Sequence, residues 1–411
     1  VKIVITMFGW DDPGGGTAIP RAAACELARR GHAVTVFYAA VESVPGAGRN
    51  VIRERVVEGV RLVGVHNRRS PLLDLGHPRR EVDDPEITAA FCALLDDVRP
   101  DTVAFHNLHN LGIALTGAAA ARGIPSTFTP HNFWLLCSRN HLLRPGPALC
   151  DGPADGGAGC AECAGGSELD HRVRLAELRE QVCTNVTTIQ CVSHVVRDVL
   201  EGAGFPPAML DVVAVAPPTA AVLWETVGRD RAPGRSAPLR VGYIGSLQAF
   251  KGAPVLAAAA SLACEDVEVT VHGSGTDAER RTILAQDPSG RVRLAGPYGR
   301  SDLGAILASV DLAVVPSLVW ETAGLTVLEC LAARVPVIVP RMGGLVESIA
   351  DGVNGLICEA WSAPALAAAI DRVAGEPGLL ERLQRGIVAP RSFEDYVDEL
   401  LARPSDGARP H

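Results

Sequence analysis

A short apolar strand, a glycine-rich turn and a helix open this chain, and the same succession returns at Leu239. In the first copy, Val1–Met7 reads as a strand and Gly14-Gly15-Gly16 as the turn. Pro20 then lies near the first turn of a helix that ends before Gly31. In the second, Leu239–Gly245 is the strand, Ser246–Gly252 a glycine-bounded turn and Pro254–Leu262 the helix. Strands apolar on both faces, alternating with helices, require a parallel sheet covered on both sides. Further strands are expected at His32–Tyr38, Arg61–Val65, Thr102–His106, Ser126–Thr129, Thr187–Val192 and Asp211–Val215. In the second half they are expected at Val267–His272, Val292–Ala295, Leu312–Pro316 and Val335–Val339. The polar, proline- and arginine-rich run at 227–238 reads as a linker. The expected plan is a Rossmann-like unit at 1–226, the linker, a second unit at 239–390, and a tail, 391–411, that returns to the first. Ligands bind beyond the carboxyl ends of such strands, so both glycine turns are candidate binding elements. Neither half carries a full G-x-G-x-x-G, and Gly273-Ser-Gly275 is a partial match that gives a nicotinamide or flavin cofactor little support.

The chemistry concentrates in Ser317-Leu-Val-Trp-Glu321-Thr-Ala-Gly324-Leu325-Thr326-Val-Leu-Glu329. A strand ending in polar residues leads to a glycine that opens a helix, and the unpaired amides of a helix start attract phosphate. Glu321 and Glu329 would lie roughly 12 Å apart along one continuous helix, too far to act as a pair. With Glu321 in the loop and Glu329 in the helix, both can face one extended ligand. A lone pair of glutamates at this spacing would otherwise be ordinary surface residues.

The segment resembles the Glu-x7-Glu signature of family 4 glycosyltransferases. Pro316-Ser317, Gly343-Gly344-Leu-Val-Glu347 and Asp351-Gly-Val-Asn354-Gly355-Leu are similar to the same family, in order. The resemblance implies an α/β chain of the GT-B architecture, two Rossmann-like domains facing across a cleft, and a retaining glycosyltransferase using a nucleotide-diphosphate sugar. It assigns Lys251, in Gly245-Ser246-Leu-Gln-Ala-Phe-Lys251-Gly252, to the donor diphosphate, with Gly245 and Ser246 beside it. The family often has an arginine where Ser246 stands, so Arg300 or Arg341 are candidate substitutes. Glu321, Gly324, Leu325, Thr326 and Glu329 complete the implied donor set, with Glu321 and Glu329 as binders and electrostatic organisers. Gly14-Gly15-Gly16 resembles the family's amino-terminal glycine loop, which puts Gly15 and Gly16 near the donor. Thr129-Pro-His131-Asn132-Phe-Trp-Leu-Leu-Cys137 resembles a His-Asp-Phe-Trp-Leu-Leu-Cys segment of one subgroup. His131 is thereby a candidate catalytic or acceptor-binding residue, and Asn132, which stands in place of the aspartate, an acceptor candidate. Asp11 and Asp12 are acceptor candidates, although an aspartate before Pro-Gly also serves turn chemistry.

Composition narrows the rest. The 411 residues carry a net charge of −9 and 47% hydrophobic residues, with no run of membrane-span length. Nucleic acid and stable membrane association are therefore not expected. Val1-Lys-Ile-Val-Ile reads as a core strand and not as a secretion signal, which makes a cytoplasmic location the expectation. Lys2 and Lys251 are the only lysines in an arginine-rich chain, which singles out Lys251. Of the eleven cysteines, Cys137, Cys150, Cys160 and Cys163 stand apart in a glycine-rich segment. Their C-x12-C-x9-C-x2-C spacing, closing on Cys160-Ala-Glu-Cys163, points to one structural metal ion, with zinc first. Iron–sulfur, a disulfide pair and free thiols remain open.

The leading functional expectation is a glycosyltransferase acting on a small-molecule acceptor, of a kind used in specialised metabolism. A nucleotide-sugar hydrolase or epimerase on the same fold is the alternative, and a non-catalytic nucleotide-sugar-binding protein the third. A retaining glycosidase needs carboxyls about 5 Å apart, which helix geometry makes hard for Glu321 and Glu329.

Overall fold

The computed structural model describes residues 1–12, 14–68, 75–146, 148–228, 238–264 and 266–401. The chain divides into two compact units: Val1–Ala214 with the chain from Glu394, and Val215–Phe393.

In the first unit the strands are β1 (Lys2–Phe8), β2 (Ala33–Ala39), β3 (Val51–Val57), β4 (Val60–His66), β5 (Thr102–Phe105) and β6 (Ser126–Phe128). After the small hairpin β7 (Leu143–Arg144) and β8 (Ala148–Leu149) come β9 (Thr188–Cys191) and β10 (Leu210–Val212). The main sheet runs β10-β9-β6-β5-β1-β2-β4-β3. Its pairings are parallel except β3 with β4. Consecutive β1 and β2 lie on one side and β5 on the other, so the chain reverses direction across the sheet between β1 and β5. The loops after those two strands flank that point, and ligands bind at such a point in open α/β sheets.

The β3 strand is absent from the sequence expectation because its Arg-Glu-Arg centre is exposed, so no buried alternation marks it. The helix expected from Pro20 begins at Gly15 and runs to Arg29 with Pro20 inside. Gly14 caps it, its carbonyl accepting from Thr17 and Ala18 amides at 3.0 and 2.9 Å. Gly15 and Gly16 are thus the first turn of a helix and not a loop, which turns their amides outward as donors. The terminal helix Phe393–Leu401 packs on this unit. Gln190 donates to the Leu400 carbonyl at 3.1 Å, Arg30 pairs with Asp398, and Tyr396 is fully buried.

The second unit has β11 (Leu239–Ile244), β12 (Val267–His272), β13 (Val292–Gly296), β14 (Leu312–Val314), β15 (Val337–Pro340) and β16 (Gly355–Cys358). They form one sheet, β13-β12-β11-β14-β15-β16, and all its neighbours are parallel. Renumbered from β11 the order is 3-2-1-4-5-6, the dinucleotide-fold arrangement, with its switch point between β11 and β14. Leu256, Ala260, Ile370 and Leu383 cover one face, and Leu307, Val327, Cys330 and Leu345 belong to a second core cluster. The boundary between units falls at Ala214/Val215, upstream of the expected 227–238 linker. Ala220 and Leu223, which precede that run, are buried in the second unit's core and carry the chain into it. Residues 229–237 of the run lie outside the described residues. Among the described residues no helix is long and apolar enough to cross a membrane.

Candidate functional site

The switch point of the second unit gathers its charged side chains. Strand β11 ends at Ile244, and the turn that follows from Gly245 closes at Gly252 with φ +80°. A Cβ there would stand 1.8 Å from the Pro316 carbonyl oxygen, so glycine lets this turn lie against the end of β14. The Leu318 amide donates to the Phe250 carbonyl at 2.7 Å and ties the two loops together. This contact brings Lys251 and Glu321 within reach: Lys251 Nζ donates to Glu321 Oε1 at 2.7 Å. Ser317 Oγ donates to the same carboxylate oxygen at 2.7 Å. The pair is partly open, with 31% of the lysine side chain and 19% of the glutamate side chain exposed. Nearby, the buried Tyr243 hydroxyl donates to the Ser246 carbonyl at 2.5 Å. Burial, reinforced by Glu321 and Tyr298, pushes that phenol well above its usual range, so it stays a donor.

Gly324, at φ +70°, caps the helix Leu325–Ala332 from the left-handed region. A capping glycine has no side chain with which to occupy the free amides of Leu325 and Thr326. The loop is held from below: the Gly344 amide donates to the Glu321 carbonyl at 2.7 Å. A Cβ on Gly344 would sit 2.4 Å from the Thr322 carbonyl oxygen, and one on Gly343, at φ +56°, 2.8 Å from Glu321 backbone. The Gly343-Gly344 pair is therefore the floor on which the Glu321 loop rests.

Glu329 points inward from the same helix and is 8% exposed. Thr219 Oγ1 donates to its Oε1 at 3.0 Å, and Arg300 Nη1 stands 3.9 Å from the same oxygen. Burial raises the carboxyl pKa, while the Thr219 hydrogen bond and the Arg300 charge oppose that rise. Thr219 was invisible to sequence reasoning because it reaches Glu329 from 110 residues away. Arg300, one of two candidate substitutes for the missing arginine, stands beside Glu329; Arg341 is exposed.

In the first unit the helix start after β1 and the loops after β5 and β6 bring Gly16, Asn107, His106 and His131 together. A Cβ on Gly16 would lie 3.4 Å from both Asn107 Nδ2 and His131 Cβ. His106 Nδ1 and His131 Nε2 are 3.0 Å apart, the rings stacked at 20°. One ring nitrogen donates and the other accepts, so at least one ring is neutral. Burial lowers His131 to about 4 and pushes His106 well below the usual range, with His131 adding to the latter. His109, likewise lowered to about 4 by burial, stacks on Trp134. The acceptor candidates have structural partners. Asp12 accepts from the Gly14 amide at 2.8 Å, Asp11 pairs with Arg55 at 2.6 Å, and Asn132 accepts from the Trp134 amide at 2.9 Å. Arg174 is buried beneath this region, bonded to Glu81 at 2.6 Å and to the Trp134 carbonyl at 2.5 Å.

Cys137, Cys150, Cys160 and Cys163 line one cavity and are free and half-buried. Burial pushes the Cys160 thiol up to about 11, the other three cysteines adding to the rise. Among the described residues no three His, Cys, Asp or Glu side chains stand in a metal-holding arrangement.

With that geometry in place, comparison with known proteins defines the class. Residues 13–216 match the sequence model of Glycosyltransferase Family 4, and residues 238–376 match that of Glycosyl transferases group 1. The two matches together span most of the chain, and it belongs to the family 4 glycosyltransferases. Its fold is GT-B. The chain superposes on Anabaena HepE in complex with UDP and glucose with a TM-score of 0.65 at 15% identity, covering 97% of both chains. It is similar to the D-inositol 3-phosphate glycosyltransferase of Mycobacterium marinum, 34% identical over 174 residues, 39% of this chain and 37% of that one. It is also similar to the glycogen synthase of Mycobacterium tuberculosis, 28% identical over 186 residues, 44% of each. The matched part is thus less than half the length of either curated relative.

Proposed function

We propose that the protein is a retaining glycosyltransferase that moves a sugar from a nucleotide-diphosphate donor to a small-molecule acceptor. The observation that carries this reading is the Lys251–Glu321 pair beside the open helix start at Leu325, both at the switch point between β11 and β14. A diphosphate there meets an ammonium group and free amides, the groups that stabilise negative charge on a leaving phosphate. Glu329, fixed by Thr219, accepts hydrogen bonds from the ribose hydroxyls. Similarity to HepE, which was solved with UDP and glucose, and to an inositol-phosphate glycosyltransferase supports a nucleotide sugar as donor.

In this reading the bond from the anomeric carbon to the phosphate oxygen breaks as the acceptor oxygen bonds to that carbon on the same face. The acceptor proton passes to the departing diphosphate, so no protein nucleophile is needed. Lys251 takes up the charge that develops on the leaving group, and Glu321, itself held by the Ser317 hydroxyl, keeps the lysine in place. His131, neutral and hydrogen-bonded to His106, serves as a polar contact for sugar or acceptor and not as a cation. The acceptor is a soluble metabolite and the setting the cytoplasm.

The test is nucleotide release from a panel of nucleotide sugars, with and without candidate acceptors. One donor is expected to turn over faster with its acceptor, and the product to keep the donor's anomeric configuration by NMR. Release that is indifferent to any acceptor would mark a hydrolase. Tight binding without turnover would mark a binding protein.

A further inference from the structure

We propose that Cys137, Cys150, Cys160 and Cys163 bind one zinc ion as a closed four-thiolate site that orders residues 137–163. The four thiols come from three separate pieces of chain. Cys137 ends the turn after Phe133, its amide donating to the Phe133 carbonyl at 2.8 Å. Cys150 follows β8, its amide tied to the Leu142 carbonyl at 2.8 Å. Cys160 and Cys163 lie one turn apart on the short helix Cys160–Ala164. All four nevertheless line the same cavity, and none is in a disulfide. Convergence of four cysteines from three stretches on one cavity is not a demand of hydrophobic packing.

The surroundings suit the ion. A zinc ion with four thiolates carries a net charge of −2, and Arg139 and Arg144 line the same cavity. With four protein ligands no coordination position stays open for water, which makes the site structural. The segment also needs order from somewhere. The run from Asp151 to Gly159 has no large apolar side chain, and the β7–β8 hairpin has two residues in each strand. Gly152, Asp155, Gly156 and Gly157 all adopt positive φ, between 51° and 118°. Zinc contributes folding free energy where a small segment has little to bury.

Ligation entails a local closure. Zinc–sulfur bonds of about 2.3 Å bring neighbouring sulfurs to about 3.8 Å, whereas the thiols of this structure do not stand in a metal-holding arrangement. Two of the thiols face carbonyls instead: Cys150 Sγ lies 3.3 Å from the Gly152 carbonyl oxygen, and Cys163 Sγ 3.9 Å from that of Leu143. A thiol is a weak donor, so both contacts are cheaply given up on deprotonation by the metal.

Untagged full-length protein, purified without chelator, is analysed for metals and for free thiols under native conditions. About one zinc ion per chain is expected. Cobalt exchanged into the wild-type chain should give the intense thiolate charge-transfer and tetrahedral d–d bands. Chelation should raise hydrogen exchange across 137–163 above that of β1 and β2. Cys160→Ser with Cys163→Ser should abolish both metal content and cobalt spectrum. The cobalt arm needs no variant and stands even if that double variant misfolds. Zinc-free protein that neither takes up cobalt nor changes its exchange would overturn the proposal. So would a visible iron–sulfur chromophore, a native disulfide among the four cysteines, or zinc retained by the folded double variant.

Discussion

Replacing Lys251 by methionine removes one charge and leaves most of the side-chain volume. The pair it breaks is 2.7 Å long, with side chains 31% and 19% exposed. Partly exposed pairs contribute about 0–1 kcal/mol to stability, and Ser317 keeps its hydrogen bond to Glu321. One kcal/mol moves the melting temperature of a domain of this size by about 2–4 °C, so the fold should survive with a shift no larger than that. The effect on rate should be far greater. A unit charge about 4 Å from a developing phosphate charge, at an effective dielectric constant of about 20, interacts by about 4 kcal/mol. Loss of a single group that stabilises transition-state charge costs about 10²–10³ in kcat. Because the charge grows as the bond to the phosphate breaks, kcat should fall more than KM rises. The assay is nucleotide release from the preferred donor at saturating acceptor, with melting temperature measured in parallel. A variant that keeps kcat within about tenfold of wild type would refute the assignment of Lys251 to the leaving group.

Three further outcomes follow from the same geometry. Glu329→Gln should weaken nucleoside diphosphate binding by at least about tenfold in calorimetry, or 1.4 kcal/mol, and equal affinity would place the ribose elsewhere. Gly252→Ala should lower the melting temperature by more than about 4 °C, since its φ is +80° and the added Cβ meets the Pro316 carbonyl oxygen at 1.8 Å; an unchanged melting point would contradict that packing. Burial lowers His131 and His109 to about 4, so between pH 6.5 and 4 the unfolded chain binds more protons than the folded one. Stability should therefore be complete above pH 6.5 and fall toward pH 4, by about 1.4 kcal/mol per unit for each histidine. His131→Asn should flatten that slope in denaturant titrations, and an unaltered slope would mean that His131 is charged in the fold.

The parts of the site legible in sequence are those whose constraints are local. Glycine at 252, 324 and 343 marks positive φ beside a strand end, and a short run of residues suffices to show it. The central strands of the second unit's parallel sheet, β11, β14 and β15, were legible because they are buried on both faces almost throughout. Strand β16 was missed because Gly355 opens it: a Cβ there would stand 2.3 Å from the Val337 carbonyl oxygen, so the glycine serves close strand approach and mimics a turn. Strand β3 was missed for the opposite reason, its solvated charged edge. Pro20 misled because proline usually stands in a first helical turn, whereas here the helix tolerates it further in. The support of Glu329 by Thr219 and Arg300, and the pairing of His106 with His131, depend on residues brought together only by the sheet order.

In the proposed reaction the second unit holds the donor diphosphate between Lys251 and the helix start at Leu325. A crystal structure with the nucleoside diphosphate that most stabilises the protein tests it directly. Phosphate oxygens are expected about 2.7–3.2 Å from Lys251 Nζ and from the Leu325 or Thr326 amide, with the ribose hydroxyls on Glu329. A diphosphate bound elsewhere, with the Lys251–Glu321 pair intact and the Leu325 amide unengaged, would contradict it.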